Sequence, residues 1–154
     1  MDFQGTSGDD NFIDTKAPEC FSGEAGNDRM IGRGGADSFD GGAGNDYIHM
    51  SNGDFEFVDG GTGTDTLGLI GSNFNLDLSG VIDKIHGIEA IALYGNGDNT
   101  LMLTVQGVIN LSDNTNILRN IWIRFSRIHE LTLMSCSTAS QRSSPYASDC
   151  KILT

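Results

Sequence analysis

Proline and positive charge are both scarce in this 154-residue chain: it has two prolines, and nine Lys and Arg stand against 21 Asp and Glu, for a formal charge of −12. So few prolines exclude a collagen or a proline-rich linker. The lack of positive charge excludes nucleic acid and anionic membrane surfaces as partners, since both would repel the chain. No run approaches the ~18 apolar residues of a transmembrane helix. The start, Met1-Asp2-Phe3-Gln4, lacks the basic and apolar regions of a secretory signal peptide, so export would need another route. Cys20, Cys136 and Cys150 are too few and too uneven for a disulfide framework, and they form no C-x-x-C pair to hold zinc. His49, His86 and His129 lie far apart, with no H-E-x-x-H, G-x-S-x-G or phosphate-binding glycine loop around them, so no enzyme is expected in this chain.

Glycine, by contrast, is abundant, with 21 residues, 15 of them between Gly5 and Gly68. They are placed in register. From Gly5 the chain reads in nines as GTSGDDNFI, DTKAPECFS, GEAGNDRMI, GRGGADSFD, GGAGNDYIH and MSNGDFEFV, then an inserted Asp59, then GGTGTDTLG. The eighth position is always apolar: Phe12, Phe21, Met30, Phe39, Ile48, Phe57 and Leu67. The fourth is glycine in every unit but the second, which has Ala17, and the sixth is Asp10, Asp28, Asp37, Asp46 and Asp65 in five units. A flexible linker would not keep such a period.

Each unit thus has two halves. Its first six residues make a turn in which glycine permits left-handed or closely approached backbone, so that carbonyl oxygens and one carboxylate can face a common point. All-oxygen donors of this kind suit a hard cation. The last three residues make a short strand with its central side chain inward, and Asn11, Arg29, Ser38, Tyr47, His49 and Glu56 are expected to face outward.

The pattern G-G-x-G-x-D-x-U-x, with U apolar, resembles the nonapeptide of the RTX, or hemolysin-type, calcium-binding repeat family. The resemblance implies an all-β fold, a right-handed parallel β-roll (a β-solenoid) with two nonapeptides per turn and Ca2+ held between stacked loops. It implies a secreted, extracellular module that folds on binding calcium and leaves the cell through a type I secretion apparatus. The module could equally be a fragment of a large surface adhesin, or the export module of a secreted hydrolase or toxin whose catalytic domain lies elsewhere. With two units per turn, Asp10, Asp28, Asp46 and Asp65 stack on one edge, with carbonyl donors at Gly23, Ala25, Gly41, Ala43 and Gly60. The other edge offers Glu19, Asp37 and Phe55 at the same position, so Asp37 is its one consensus ligand. Asp59 preserves this parity if it is absorbed as a local bulge. Asp9, Asn27 and Asn45 are read as turn formers. Stacked carboxylates about 5 Å apart repel by about 1 kcal/mol even in water, so the roll is expected to need its cations in order to fold.

Residues 1–68 are therefore read as the roll and 69–118 as a β-rich extension or cap. The extension has alternation at Phe74, Leu76 and Leu78, a cadence of nine through Leu67, Leu76, Ile85, Tyr94 and Leu103, and a short helix at Val105–Leu111. Residues 119–154 turn basic, with five Lys or Arg against two acids. They are either foreign to the domain, as an out-of-frame or disordered tail, or a divergent strand pair at Ile121–Phe125 and Leu131–Met134.

Overall fold

A computed structural model describes residues 1–94, 100–102, 111 and 120–123. The short strands expected from the last third of each nonapeptide form, and each pairs with the strand two units away, which makes two parallel sheets. One has the order Asn11–Ile13, Arg29–Gly32, Tyr47–Met50, Thr66–Leu69, Ala90–Leu93 and Asn120–Ile123. The other runs Asp2–Gln4, Cys20–Ser22, Asp37–Asp40, Phe55–Asp59 and Ile85–His86. Odd-numbered units fill the first sheet and even-numbered units the second, so the chain is a β-solenoid with two nonapeptides per coil.

Register follows the apolar eighth position. Phe12 pairs with Met30, Met30 with Ile48, Ile48 with Leu67, Leu67 with Ile91 and Ile91 with Ile121. Across the roll Phe3, Phe21 and Phe39 stack with ring centroids 4.8 and 4.9 Å apart and nearly parallel planes, so the rings repeat at the strand spacing. Met30, Ile48, Leu67 and Ile91 are fully buried. A slip of one residue would turn this whole set to solvent, which is why the period holds the register.

The glycines between strands are required by contact as well as by dihedral. Gly44 has φ 140°, and a Cβ there would collide with the Gly26 carbonyl of the coil before it.

Three expectations change here. Phe57 was placed inward, but it is 37% exposed, and Val58 is fully buried in its place. Asp37 pairs with Phe55 and Ser38 with Phe57, so the extra residue is absorbed as a bulge at Glu56 rather than at Asp59. Phe55 and Val58 are then both buried, while the Phe57 ring rests on His86 outside. The cadence of nine also fails at Tyr94, which is 37% exposed. The sheet position after Leu67 belongs to Ile91, 24 residues on, because residues 71–84 make an excursion before the chain rejoins the second sheet at Ile85–His86. That excursion holds a strand, Asn75–Asp77, paired with Thr100–Met102, then the helix Leu78–Val81 and the 3-10 turn Ile82–Lys84. Phe74, Leu76 and Leu78 are buried as their alternation suggests, although Leu78 lies in the helix and not in a strand. In the stretch Val105–Leu111 only Leu111, which is buried, is among the described residues, and Leu103 and Leu131–Met134 lie outside them.

Candidate metal centre

The loops of the odd-numbered units stack on one edge, and their sixth-position carboxylates form a ladder. Asp28 Oδ1 accepts from the backbone N–H of Asp10 (2.7 Å), Asp46 Oδ1 from that of Asp28 (2.8 Å) and Asp65 Oδ1 from that of Asp46 (2.7 Å). Asp28, Asp46 and Asp65 are each 1% exposed or less. The other oxygen, Oδ2, meets no donor in any of the three. The Oδ2 atoms of Asp28 and Asp46 lie over the first-position glycine of their own units, where a Cβ on Gly23 or Gly41 would strike them. The carbonyls of Gly23, Gly41 and Gly60 face the first-position glycines of the preceding coils, Gly5, Gly23 and Gly41, so close that a Cβ would collide there too. Each gap therefore presents a buried carboxylate oxygen without a donor beside carbonyl oxygens, which is the donor set of a hard cation.

Ala25 and Ala43 hold the loops together through their backbones. Ala25 N–H donates to the Thr6 carbonyl and Ala43 N–H to that of Glu24, while the Ala43 carbonyl accepts from Gly26 N–H. Asp10 sits differently. It begins the stack, and its Oδ2 turns back into its own loop, accepting from Thr6 N–H (2.7 Å) and Thr6 Oγ1 (3.0 Å). Outside this ladder runs a second one, in which Asp9, Asn27 and Asn45 accept from the backbone N–H of Asn27, Asn45 and Thr64. These fifth-position side chains link coils as well as turning the chain.

The electrostatics match the geometry. Burial pushes the carboxyls of Asp28 and Asp46 above the usual range, and that of Asp65 up to about 7, with the neighbouring Asp46, Glu89 and Asp59 charges adding to it. The one Lys or Arg ion pair among the described residues is the exposed Lys84–Glu56, so none of these carboxylates has a cationic side-chain partner.

Two acids that the repeat did not mark enter the structure. Glu89 extends the first ladder: its Oε2 accepts from Asp65 N–H at 2.9 Å, and it is 7% exposed. It lies 24 residues after Asp65 and is not an aspartate, so period and consensus both pass over it; its one signal is an acid immediately before the apolar run Ala90–Leu93. Asp14, on the second edge, replaces the first-position glycine of unit two and is 3% exposed. There Asp37 Oδ1 accepts from Glu19 N–H (3.1 Å), as on the first edge, and carboxylate oxygens of Asp14, Glu19 and Asp37 lie within 4.8 Å of one another. Phe55, buried at the same position one coil on, brings no carboxylate.

No curated protein and no solved structure matches the chain. Residues 22–54 match the RTX calcium-binding nonapeptide repeat in four copies, a span that includes Asp28, Asp37 and Asp46 and the carbonyls of Gly23, Ala25, Gly41 and Ala43. The middle of the ladder, its glycine contacts and the family match fall on the same loops: residues 22–54 are similar to RTX calcium-binding nonapeptide repeats, and calcium is the ion such repeats take.

Proposed function

We propose that the chain is a module of an exported protein that remains largely unfolded where calcium is scarce and folds when it meets millimolar calcium outside the cell, with Asp28, Asp46 and Asp65 as the principal ligands. The observation that carries this is the row of buried Oδ2 atoms without donors on the first edge. Buried carboxylates without a counter-charge oppose folding. A divalent ion between coils supplies that charge only in the folded state, so binding and folding become one transition. Asp28 and Asp46 each lie between two gaps, and the carbonyls of Gly23, Gly41 and Gly60, with Ala25 and Ala43 beside them, complete the donor set. Calcium suits such a cage better than magnesium, which requires a strict octahedron of smaller radius. On this reading the module leaves the cell through a type I apparatus; among the described residues no helix is long and apolar enough to cross a membrane.

Circular dichroism of the full chain tests the coupling. The spectrum should be that of an unfolded chain in EDTA, gain strand signal in millimolar calcium, and respond far less to equal magnesium. A strand spectrum that survives exhaustive chelation at neutral pH would refute it.

A further inference from the structure

The second edge departs from the repeat in a way that builds something. Asp14, Glu19 and Asp37 are each 3% exposed. Each carboxylate is fixed by one oxygen: Asp14 Oδ1 accepts from Arg33 N–H (2.7 Å), Glu19 Oε1 from Thr15 Oγ1 (2.7 Å) and Asp37 Oδ1 from Glu19 N–H (3.1 Å). The remaining oxygens of Asp14 and Glu19, Oδ2 and Oε2, are fully buried and meet no donor. Among the described residues no Lys or Arg makes an ion pair with any of the three, although the Arg33 charge is near enough to act weakly on Asp14. Oriented, dehydrated acceptors with nothing to accept from indicate a missing positive partner.

We propose that Asp14, Glu19 and Asp37 form a divalent-cation site of their own, with Asp14 supplying a carboxylate where the repeat has glycine and Glu19 replacing the missing aspartate. Three carboxylates with oxygens within 4.8 Å of one another, each held by one hydrogen bond, suit a hard, calcium-sized ion. The loss of consensus in unit two is thereby a change of donors: side-chain charge replaces backbone carbonyls. Phe55 ends the edge above, so the site is single. The rival occupant is a proton shared between Asp14 and Asp37, and burial does raise both carboxyls, that of Asp37 to about 6. The inference stands apart from the first-edge reading, because none of its three side chains belongs to that ladder.

The test counts calcium ions on the full-length chain by equilibrium dialysis at pH 7.5 for the wild type, Asp14→Asn, Glu19→Gln and Asp46→Asn. The amides keep the acceptors for Arg33 N–H and Thr15 Oγ1, and circular dichroism in saturating calcium checks the fold. Asp14→Asn and Glu19→Gln should each bind one ion fewer than the wild type. An unchanged count in both variants overturns the proposal. If Asp46→Asn loses no ion while Asp14→Asn loses one, the first-edge reading fails and this one stands. Should the variants not fold, wild-type crystals soaked in terbium decide: anomalous density among the three carboxylates supports the site, and density confined to the first edge overturns it.

Discussion

The two edges of the roll are built by the same coil and stacked by the same hydrogen bond, yet they gather charge in different ways. On the first edge, position six repeats as Asp28, Asp46 and Asp65, each passing one oxygen to the N–H of the coil before, and position one stays glycine so that carbonyls and Oδ2 can share the gap. On the second edge the same bond joins Asp37 to Glu19, but a carboxylate stands at position one and an aromatic closes the next loop. Periodicity therefore produces a row of like gaps, each with a buried carboxylate oxygen that meets no donor, whereas departure from it produces one isolated cluster. In a row each inner ligand serves two neighbours, so damage spreads; in the cluster it does not.

The largest expected effect follows from that sharing. Asp46→Ala removes a ligand from the gaps on both sides and should raise the calcium midpoint for folding about tenfold or more, roughly 1.4 kcal/mol or above, with Asp28→Ala close behind. Asp37→Ala touches one cluster and should shift the midpoint only a few-fold. Calcium titrations followed by circular dichroism give the order; if Asp37→Ala were the most damaging, the second edge and not the first would drive folding.

Protons offer a second way to separate occupancy from packing. Asp37 and Asp65 have folded-state values of about 6 and 7, raised above the 3.8 of an unfolded aspartate chiefly by burial. The folded state then binds more protons, so this contribution to stability is fully present below about 3.8 and is lost as pH rises through 6 to 7. In EDTA, lowering the pH from 8 to 5 should favour the strand spectrum. With calcium present the sign reverses, because protons compete for the same oxygens and the calcium midpoint should climb as the pH falls. A chelated chain whose strand content is flat over this range would contradict the assignment of buried, unpaired carboxylates.

How far the sequence reached depended on repetition. Phe12, Met30, Ile48 and Leu67 recur at the same position, which makes the inward set legible in the sequence, and the two units per turn implied by the family resemblance give their pairing and the split into two edges. Single events could not. The extra residue in unit six reads from the sequence as Asp59, which puts Phe57 inward; the bulge lies at Glu56 instead and puts Val58 there. Glu89 is hidden because the excursion through residues 71–84 breaks the count, although Asp65 N–H still finds a carboxylate at the next coil. Asp14 stands where the repeat has glycine, and a consensus records what is absent and not where a replacement side chain will point.

The smallest effect concerns the backbone of the first edge. Glu24 sits at φ 71° where the equivalent residues one and two coils on are Gly42 (φ 94°) and Gly61 (φ 86°). A left-handed residue bearing a Cβ costs about 1 to 2 kcal/mol, partly offset by the lower entropy it has to lose on folding compared with glycine. Glu24 also accepts from the Gln4 side-chain amide, an exposed bond of small value. Glu24→Gly should therefore stabilise the calcium-bound roll by about 0.5 to 1 kcal/mol, measured by urea unfolding in saturating calcium. Glu24→Gln, which removes the charge but keeps the strained Cβ, should not reproduce the gain. If the two variants behaved alike, the charge and not the left-handed backbone would be what distinguishes this loop from the two stacked beyond it.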